Sequence, residues 1–269
     1  MTSSSAERPQ TRPAGHPTGI RELTVLRTER LTPRMIRVVL GGPEVAGFTH
    51  RVADERIKIV FPDPDTGVTR PPVTTGDGQG LDWPRPFPPT REYTVRRFDR
   101  VAGEVSVDFV LHAGGLAAGW AEAARPGDRV WIAGPKPGLI VPPEFTFHLL
   151  LGDQTALPAI GRWLEELPVT ARARVVIQVP DAAEHQPLAE SPGIEVTWIH
   201  EDDPAHTGSA LGDALTALSL PPDEHVYLWA AGEAAIMKPI RRWARDHGFD
   251  RRNCDIAGYW RRGFGSPSE

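Results

Sequence analysis

The hydrophobic pattern of this chain changes character about half-way along its length. Residues 55–61, which lie before the change, alternate so that one face carries Ile57, Ile59 and Phe61. Arg56 and Lys58 share the opposite face of the same segment. Beyond residue 143, continuous apolar runs alternate with stretches of helical periodicity. These two patterns belong to different architectures, so the chain is predicted to fold as two successive domains.

The first domain is predicted to be a six-stranded antiparallel β-barrel, because its strands are short and separated by turn residues. The segment from Pro62 to Pro89 is rich in proline and glycine, lacks periodicity and is predicted as a surface loop or lid. Residues 1–19 are polar and are predicted as a disordered lead-in, so that the barrel spans residues 20–143. The predicted strands are Glu22–Arg27, Met35–Leu40, Glu55–Phe61, Arg91–Phe98, Val105–Leu111 and Arg129–Ala133.

The second domain, residues 144–269, is predicted to be a doubly wound α/β domain with a parallel sheet. Its strands are predicted as continuous apolar runs because both faces of a parallel sheet are covered by helices. One predicted helix carries Leu157, Ile160 and Leu164 on one face, and a later one carries Ile236 and Ile240. The predicted strands are Phe147–Leu151, Arg174–Val179, Ile194–Ile199 and Val226–Ala230.

Composition limits the classes of function. The 269 residues include 30 Lys and Arg against 35 Asp and Glu, a formal net charge of −5. This balance lacks the basic surplus of a general nucleic-acid binder, so small molecules are the expected partners. The single cysteine, Cys254, excludes an internal disulfide and a thiolate metal cluster, and no histidine spacing suggests a metal held by the protein. The sequence lacks an apolar run long enough for a membrane span or a signal peptide, so a cytoplasmic location is expected. The protein is also expected to be a monomer.

The predicted fourth strand carries Arg91, Tyr93 and Thr94. Alternation places Arg91 and Tyr93 on the same face, which gives a fixed cation beside an aromatic plate. A guanidinium suits a pyrophosphate because its planar fork makes paired charge-assisted hydrogen bonds, and an isoalloxazine ring needs an aromatic plate. A core tyrosine flanked by surface arginines would show the same spacing.

A second motif runs from Phe109 to Ala121, where a strand ends in His112 and a glycine pair and a short helix begins. The free amides at a helix start, with the positive end of the helix dipole, bind phosphate. An ordinary strand-to-helix turn is the alternative interpretation. The two motifs reinforce each other because one offers a cation and an aromatic face and the other offers backbone donors.

With the segments Arg91–Arg96 and Pro126–Pro135, this turn resembles the siderophore-interacting proteins, the flavin-dependent ferric-siderophore reductases of the ferredoxin-reductase-like superfamily. The resemblance covers nearly all of residues 20–263. It implies an FAD-binding barrel followed by an NAD(P)H-binding α/β domain. It also implies an enzyme that reduces an anionic ferric siderophore and releases Fe(II) for intracellular iron assimilation.

The resemblance further implies roles for individual residues. Arg91 would contact the FAD phosphates, Tyr93 would pack on the flavin ring and Thr94 would lie near flavin N5. Thr94 and Tyr93 are therefore the catalytic candidates. The remaining FAD set is Val95, His112, Gly114, Gly115, Ala117 and Ala118, the nicotinamide set is Asp153, Thr155, Ala156, Ala231, Gly232 and Glu233, and the siderophore set is Lys58, Lys136 and Arg261.

Several alternatives stay open from the sequence. The electron donor is NADH, NADPH or a ferredoxin, with Asp181 and Glu184 favouring NADH because a 2′-phosphate binder would show an arginine there. The chain departs from the family pattern at Ala113, Leu116, Ala118 and Gln154. A general flavin or ferredoxin-type electron-transfer reductase therefore remains an alternative, as does a non-catalytic siderophore-binding or sensing module.

Overall fold

The computed structural model describes residues 9–15, 19–78, 80–201 and 210–263. Two sheets form the frame of the fold, one antiparallel with seven strands and one parallel with five. Two small two-stranded sheets accompany them. In the described part of the chain, no helix is both long enough and apolar enough to cross a membrane.

The antiparallel part of the fold is built from alternating residues that face one apolar core. Ile57, Ile59, Val105 and Val107 are all fully buried in that core. Helix α1 (Leu116–Ala123) packs against the same core. The strands are β1 (Arg12–Ala14), β2 (Gly19–Thr32), β3 (Met35–Gly41), β4 (Arg56–Val60), β5 (Val73–Thr74), β6 (Leu81–Asp82), β7 (Thr90–Thr94), β8 (Arg97–Asp99), β9 (Glu104–Val110), β10 (Arg129–Gly134) and β11 (Gly138–Ile140).

The strand order of the large antiparallel sheet is β7-β4-β10-β2-β3-β9-β8, so the prediction of six strands is corrected to seven. The predicted strand over residues 91–98 divides because the chain changes its pairing partner. The Val95 N–H donates to the Glu55 carbonyl at 2.8 Å, and the Arg96 N–H donates to the Ser106 carbonyl at 2.9 Å. Strands β7 and β8 are thus consecutive in sequence but lie at opposite edges of the sheet, and the six-stranded barrel is not confirmed.

Two of the segments predicted to be irregular contain short strands. In the loop between β4 and β7, strands β5 and β6 pair with each other, and the Phe61 N–H donates to the Pro89 carbonyl at 2.9 Å and closes the base of the loop. Within the predicted disordered lead-in, β1 pairs antiparallel with β11. Residues 1–8 and 16–18 of that lead-in lie outside the described residues.

The parallel sheet has the order β14-β13-β12-β15-β16, which reverses direction beside the central strand β12. A cleft at the carboxyl ends of the strands is expected at such a reversal. The four predicted strands are confirmed, whereas the edge strand β16 was missed because its residues are only half-buried and show no apolar run. The elements are β12 (Phe147–Asp153), α2 (Leu157–Glu166), β13 (Arg172–Val179), β14 (Ile194–His200), α3 (Ala210–Thr216), β15 (Val226–Glu233), α4 (Met237–Asp246) and β16 (Cys254–Trp260).

Helix α2 connects the two sheets through Arg162, a guanidinium that is 1% exposed. Its Nη1 donates to the Val95 carbonyl at 2.8 Å, and its Nε donates to Glu166 Oε1 at 3.0 Å. The Arg162 Nη2 lies 4.0 Å from Oε2 of the buried Glu55. Helix α2, which follows the central strand β12, is therefore bonded to Val95, where the chain changes its pairing partner within the antiparallel sheet.

We expect the charge of Glu55 to make the stability of the protein depend on pH. Burial raises the pKa of Glu55 to about 7, above its ordinary value of 4.5, although the Arg51 amide and Arg162 oppose this shift. Because the folded chain holds this proton more tightly than the unfolded chain, the free energy of unfolding should fall as pH rises from about 4.5 to about 7.

The substitution Glu55→Gln keeps an acceptor for the Arg51 amide and removes the titration. Urea unfolding of both proteins from pH 5 to pH 8 should show the variant gaining stability relative to the wild type as pH rises. Two curves that stay parallel across this range would contradict the assignment.

Candidate functional site

Strand β7 presents the predicted flavin residues at the edge of the antiparallel sheet. The Tyr93 ring packs on Phe109, with ring centroids 4.3 Å apart, and burial raises its pKa. Arg91 lies two residues earlier and is half-buried, and its Nη1 donates to the Thr90 carbonyl at 2.8 Å. Thr94, at the end of the strand, is buried. The cation and the aromatic ring thus share one strand, with a hydroxyl group next to them at the domain junction.

The turn before helix α1 has the properties of a phosphate-binding turn. Gly114 has φ +77°, a conformation that L side chains rarely adopt. A Cβ atom at Gly115 would lie 2.4 Å from Cε1 of His112, so glycine is what allows the imidazole to rest on the turn. No side chain caps the helix start at Gly115, which leaves its first amides as donors for an anion. Trp120 packs against Phe109, the residue on which Tyr93 also packs, so helix α1 and strand β7 share one aromatic group. These residues fit a cofactor with phosphates and a planar ring.

Asp153 organises the carboxyl ends of the parallel strands. Its Oδ1 accepts hydrogen bonds from the Thr155 N–H at 2.8 Å and the Thr155 hydroxyl at 2.5 Å. Its Oδ2 accepts from the Glu233 N–H at 2.8 Å and from Trp260 Nε1 at 2.7 Å. Burial raises the pKa of Asp153, and these donors oppose that shift. The structure therefore brings the predicted nicotinamide residues together, but the Asp153 side chain holds strand ends in place and is enclosed by protein.

Gly232 and Glu233 complete this cluster. Gly232 has φ +152°, and a Cβ atom there would lie 2.6 Å from Asp153 Oδ2. The Glu233 carboxylate accepts from the Ala235 and Ile236 amides through Oε2 and from the Arg262 amide at 3.2 Å through Oε1. The carboxylates of Asp153 and Glu233 are thus both engaged in hydrogen bonds within the protein. The predicted Arg261 is exposed and directly follows the end of β16.

The two lysines predicted to bind a siderophore meet on one carboxylate. Lys58 Nζ lies 3.6 Å from Oε1 of Glu92, and Lys136 Nζ donates to the same oxygen. The Lys136 N–H also donates to the Arg56 carbonyl at 2.8 Å, which ties its segment to β4. Burial disfavours the charge of Glu92, but the hydrogen bond from Lys136 and the charges of Lys136, Arg56 and Lys58 lower its pKa. In this lysine–arginine cluster, Lys58 and Lys136 share one carboxylate, and Arg56 lies close enough to act on it while also lying near Asp54 and Asp255.

Strand β16 brings Tyr259, a residue that sequence reasoning did not single out, to the junction of the two sheets. The Arg56 guanidinium lies 5.6 Å from the centre of the Tyr259 ring, and Tyr259 packs edge-on against Trp229 at 6.4 Å. Arg56 is also paired with Thr94 in the β4–β7 register. Burial, with the nearby carboxylate of Asp54, raises the pKa of Asp255 to about 6. The two consecutive aromatic residues, Tyr259 and Trp260, are the sequence feature from which this contact could have been expected.

Two family models match the chain. The one described as "Siderophore-interacting FAD-binding domain" matches residues 24–138, and the one described as "Siderophore-interacting protein" matches residues 145–263. The NADPH-dependent ferric-chelate reductase of Escherichia coli is 36% identical to this chain over 244 residues, which is 89% of this chain and 92% of the relative. The chain belongs to the siderophore-interacting protein family.

Solved structures agree with this membership. A siderophore utilization protein from T. fusca superposes with a TM-score of 0.89 and 39% identity, over 96% of this chain and 98% of that chain. A ferredoxin–NADP⁺ reductase from Plasmodium falciparum shares the fold alone, with a TM-score of 0.66 and 11% identity over 88% of this chain and 95% of that chain. The ferredoxin-reductase-like fold implied by the family resemblance is confirmed.

In this siderophore-interacting protein, Glu184 has a role that differs from the one its sequence position suggested. The residue is 1% exposed and accepts hydrogen bonds from the Thr32 hydroxyl at 2.5 Å, from the Arg34 amide at 3.0 Å and from Gln154 Nε2. It therefore ties the loop after β13 to the turn between β2 and β3. An acid used in this way is not available to a ribose hydroxyl, so Glu184 gives no support to a preference for NADH.

The same contact gives a role to Gln154, one of the positions at which the chain departs from the family pattern. The Gln154 amide donates to Glu184, and a second carboxylate at this position would place two negative charges together in a buried site. Like charges this close cannot both ionise. The departure from the family pattern at this position is therefore matched to Glu184.

The substitution Gln154→Glu should reduce the free energy of unfolding at pH 7 by about 1–3 kcal/mol, because a donor is lost and a buried charge is added. Part of the loss should be recovered as the pH falls towards about 4.3, the ordinary pKa of a glutamate, because the introduced carboxyl group then holds a proton in the unfolded chain as well. Urea unfolding at both pH values tests this. Gln154→Met, which removes the donor without adding charge, is the control and should show no recovery with acid; recovery of equal size in both variants would contradict the account.

Proposed function

We propose that this protein is an NAD(P)H-dependent flavoenzyme that reduces ferric siderophores and so releases Fe(II) for iron assimilation. The observation that carries this proposal is the pairing of β4 with β7. The cations Arg56 and Lys58 lie on one strand, directly beside the strand that carries Arg91, Tyr93 and Thr94. The E. coli relative, which is named as a reductase of ferric chelates, supports the same activity.

The proposed FAD site lies in residues 20–143. Arg91 would bind the phosphates, Tyr93 would lie against the flavin ring and Thr94, followed by Val95, would border flavin N5. The His112 turn would offer its backbone amides to the phosphates through Gly114, Gly115, Ala117 and Ala118. Backbone amides would make these phosphate contacts, so they need no particular side chain at residues 116 and 118. The departures from the family pattern at Leu116 and Ala118 therefore leave the contacts intact.

The proposed nicotinamide site lies in residues 144–269, at the carboxyl ends of β12 and β15. Asp153 would position the Thr155–Ala156 turn and the Ala231–Glu233 turn through the hydrogen bonds described above. NADH and NADPH are both proposed as donors, and a ferredoxin is the alternative. We further propose that the protein acts in the cytoplasm as a monomer.

The chemistry divides between cofactor and protein. The chemistry that FAD would supply is the conversion of one hydride from the nicotinamide into two single electrons for two Fe(III) ions, with one proton released overall. The protein aligns the partners and attracts the substrate, because the lysine–arginine cluster raises the local concentration of an anionic chelate. Hard oxygen donors hold Fe(III) better than Fe(II), so reduction loosens the chelate without a protein acid or base. Arg261 would add a further cation at the end of β16.

The proposal is tested by supplying the FAD-loaded protein with NADPH or NADH and a ferric siderophore, and trapping Fe(II) with a colorimetric chelator. Fe(II) should form only when nicotinamide, protein and ferric siderophore are all present. Equal turnover of free flavin, quinones and ferric siderophores would favour a general flavin reductase instead.

The lysine–arginine cluster gives a more specific expectation. Lys58→Ala and Lys136→Ala should each raise KM for an anionic ferric siderophore roughly fivefold, about 1 kcal/mol, while KM for NAD(P)H stays the same. Lys238→Ala is the matched control, because Lys238 is the third lysine of the sequence and lies on the exposed side of α4. An unchanged siderophore KM in both cluster variants would remove these residues from the site.

Arg91→Ala should weaken FAD binding about tenfold to a hundredfold, because a charge-assisted hydrogen bond to phosphate is worth about 1.5–3 kcal/mol. The measurement is the ratio of flavin to protein absorbance after exhaustive dialysis. Arg97→Ala removes an exposed arginine from the neighbouring strand β8 and should retain its flavin. Full occupancy in the Arg91 variant would argue against the phosphate role.

A further inference from the structure

Helix α4 carries a row of cations on the face that it turns to solvent. Met237, Ile240 and Ala244 are buried and hold the opposite face of the helix against the parallel sheet. Spacings of three, four and seven residues place the exposed cations along one side of the helix. We call them the α4 cation row, and its members are Lys238, Arg241, Arg242 and Arg245.

The α4 cation row makes the helix less stable than a row of mixed charges would. Like charges three or four residues apart on a helix repel each other. Lys238 lies in the first turn, where the helix dipole disfavours a cation, and only Arg245, in the last turn, is favoured by it. In the part of the chain that the structure describes, no salt bridge joins the row to an acid, and Asp246, the acid of this helix, forms none. A charge pattern that lowers helix stability and has no acidic partner within the protein indicates a function at the surface.

The row lies on the side of the parallel sheet that faces away from the antiparallel half of the molecule. The buried core beneath α4 is built from the second half of the chain, for example from Leu149 and Leu228. The core on the other face of the sheet includes Met35 and Ala53 of the antiparallel half. A partner that binds the row therefore need not cover strand β7 or the lysine–arginine cluster.

The shape and chemistry of this face favour an anionic lipid surface over other anionic macromolecules. Four long, flexible cations on a convex helix fit a flat surface of mobile phosphate headgroups, and basic helices of this kind are typical of membrane-surface binding. A site for single-stranded nucleic acid would offer a bare aromatic ring, whereas Trp243 is half-buried and its ring is stacked on His247 with centroids 4.0 Å apart. An acidic electron donor would have to approach the flavin strand, which lies across the parallel sheet from α4.

We propose that the α4 cation row is a docking surface for membranes and binds the headgroups of anionic phospholipids. The contact is electrostatic and reversible, because the apolar face of α4 is buried in the protein and does not insert into lipid. The formal net charge of −5 does not prevent this contact, since charges more than about 8 Å from the membrane are screened at physiological ionic strength. The inference goes beyond the proposed reaction and does not depend on it, because lipid binding needs neither cofactor nor siderophore.

The test is co-sedimentation of the full-length protein with lipid vesicles at about 0.1 M salt. Vesicles of phosphatidylcholine with about 40% phosphatidylglycerol should bind the protein, and vesicles of phosphatidylcholine alone should not. At about 1 M salt the Debye length falls to about 3 Å, and binding to the anionic vesicles should be lost. Equal binding to the two kinds of vesicle would overturn the inference.

Two double variants remove the same charge from different places. Arg242→Gln with Arg245→Gln should lower partition into the anionic vesicles roughly twentyfold, because each cation near the surface contributes about fivefold. Arg97→Gln with Arg100→Gln removes two exposed arginines from β8 and the turn after it, and should change partition by about twofold at most. Equal losses in the two double variants would contradict the assignment to α4.

A charge-conserving variant separates a lipid surface from a structured partner, and keeps the test decisive if the glutamine variant of α4 fails to fold. Arg242→Lys with Arg245→Lys retains both charges but removes both guanidinium forks. A lipid surface responds mainly to charge, so this variant should bind the anionic vesicles as the wild type does. A partner that recognises the paired donors of arginine would lose most of its affinity, and such a loss would overturn membrane docking.

Two further measurements separate this inference from its competitors. Binding to a DNA duplex, or to polyglutamate as a model of an acidic protein, together with failure to bind the anionic vesicles would overturn membrane docking. Turnover with NADPH and a ferric siderophore, measured without vesicles, tests the proposed function by itself. A protein that binds anionic vesicles through α4 but forms no Fe(II) would support docking and contradict the reductase, and an active reductase that ignores anionic vesicles would do the reverse.

Discussion

The buried guanidinium of Arg162 lies where the two sheets of this protein meet, and the relative position of the two halves of the site depends on it. Helix α2, which carries it, begins directly after the Asp153 turn, and its bond to the Val95 carbonyl reaches the residue that follows Thr94. A hydrogen bond to a charged group is worth about 1.5–3 kcal/mol, so the bond between Arg162 and the Val95 carbonyl resists separation of the two sheets. Glu184 provides a second tie between the same two parts of the chain. Hydride transfer needs reacting atoms about 3–3.5 Å apart, and two buried ties are a means of holding that geometry.

Charge is distributed unevenly on this acidic chain. The formal net charge is −5, yet Lys58 and Lys136 meet on a single carboxylate, with Arg56 on the same strand as Lys58. Glu92 lets the two lysines lie close together without strong mutual repulsion beside strand β7. An overall negative protein with a local cationic cluster repels anions from most of its surface and attracts them to that cluster.

Structural features that depend on residues close together in the sequence could be predicted. Features that depend on contacts between distant segments could not. The parallel strands and the Arg91–Thr94 motif could be predicted because burial and alternation are visible in short windows. The partner change at Val95 could not, because it is determined by carbonyls of Glu55 and Ser106 that lie far away in the chain. Glu184 was misinterpreted for the same reason, since its acidic character is visible in the sequence but its three donors come from two other loops.

In the proposed reaction, electrons pass from a nicotinamide through bound FAD to a ferric siderophore. The most direct measurement is the visible absorption spectrum of the purified protein, followed without oxygen after addition of NADPH or NADH and then of a ferric siderophore. We expect flavin bands that bleach with the nicotinamide and return with the siderophore. Bands that bleach and do not return would contradict the ferric siderophore as substrate. A spectrum without flavin bands, even after reconstitution with FAD, would contradict electron transfer through FAD altogether.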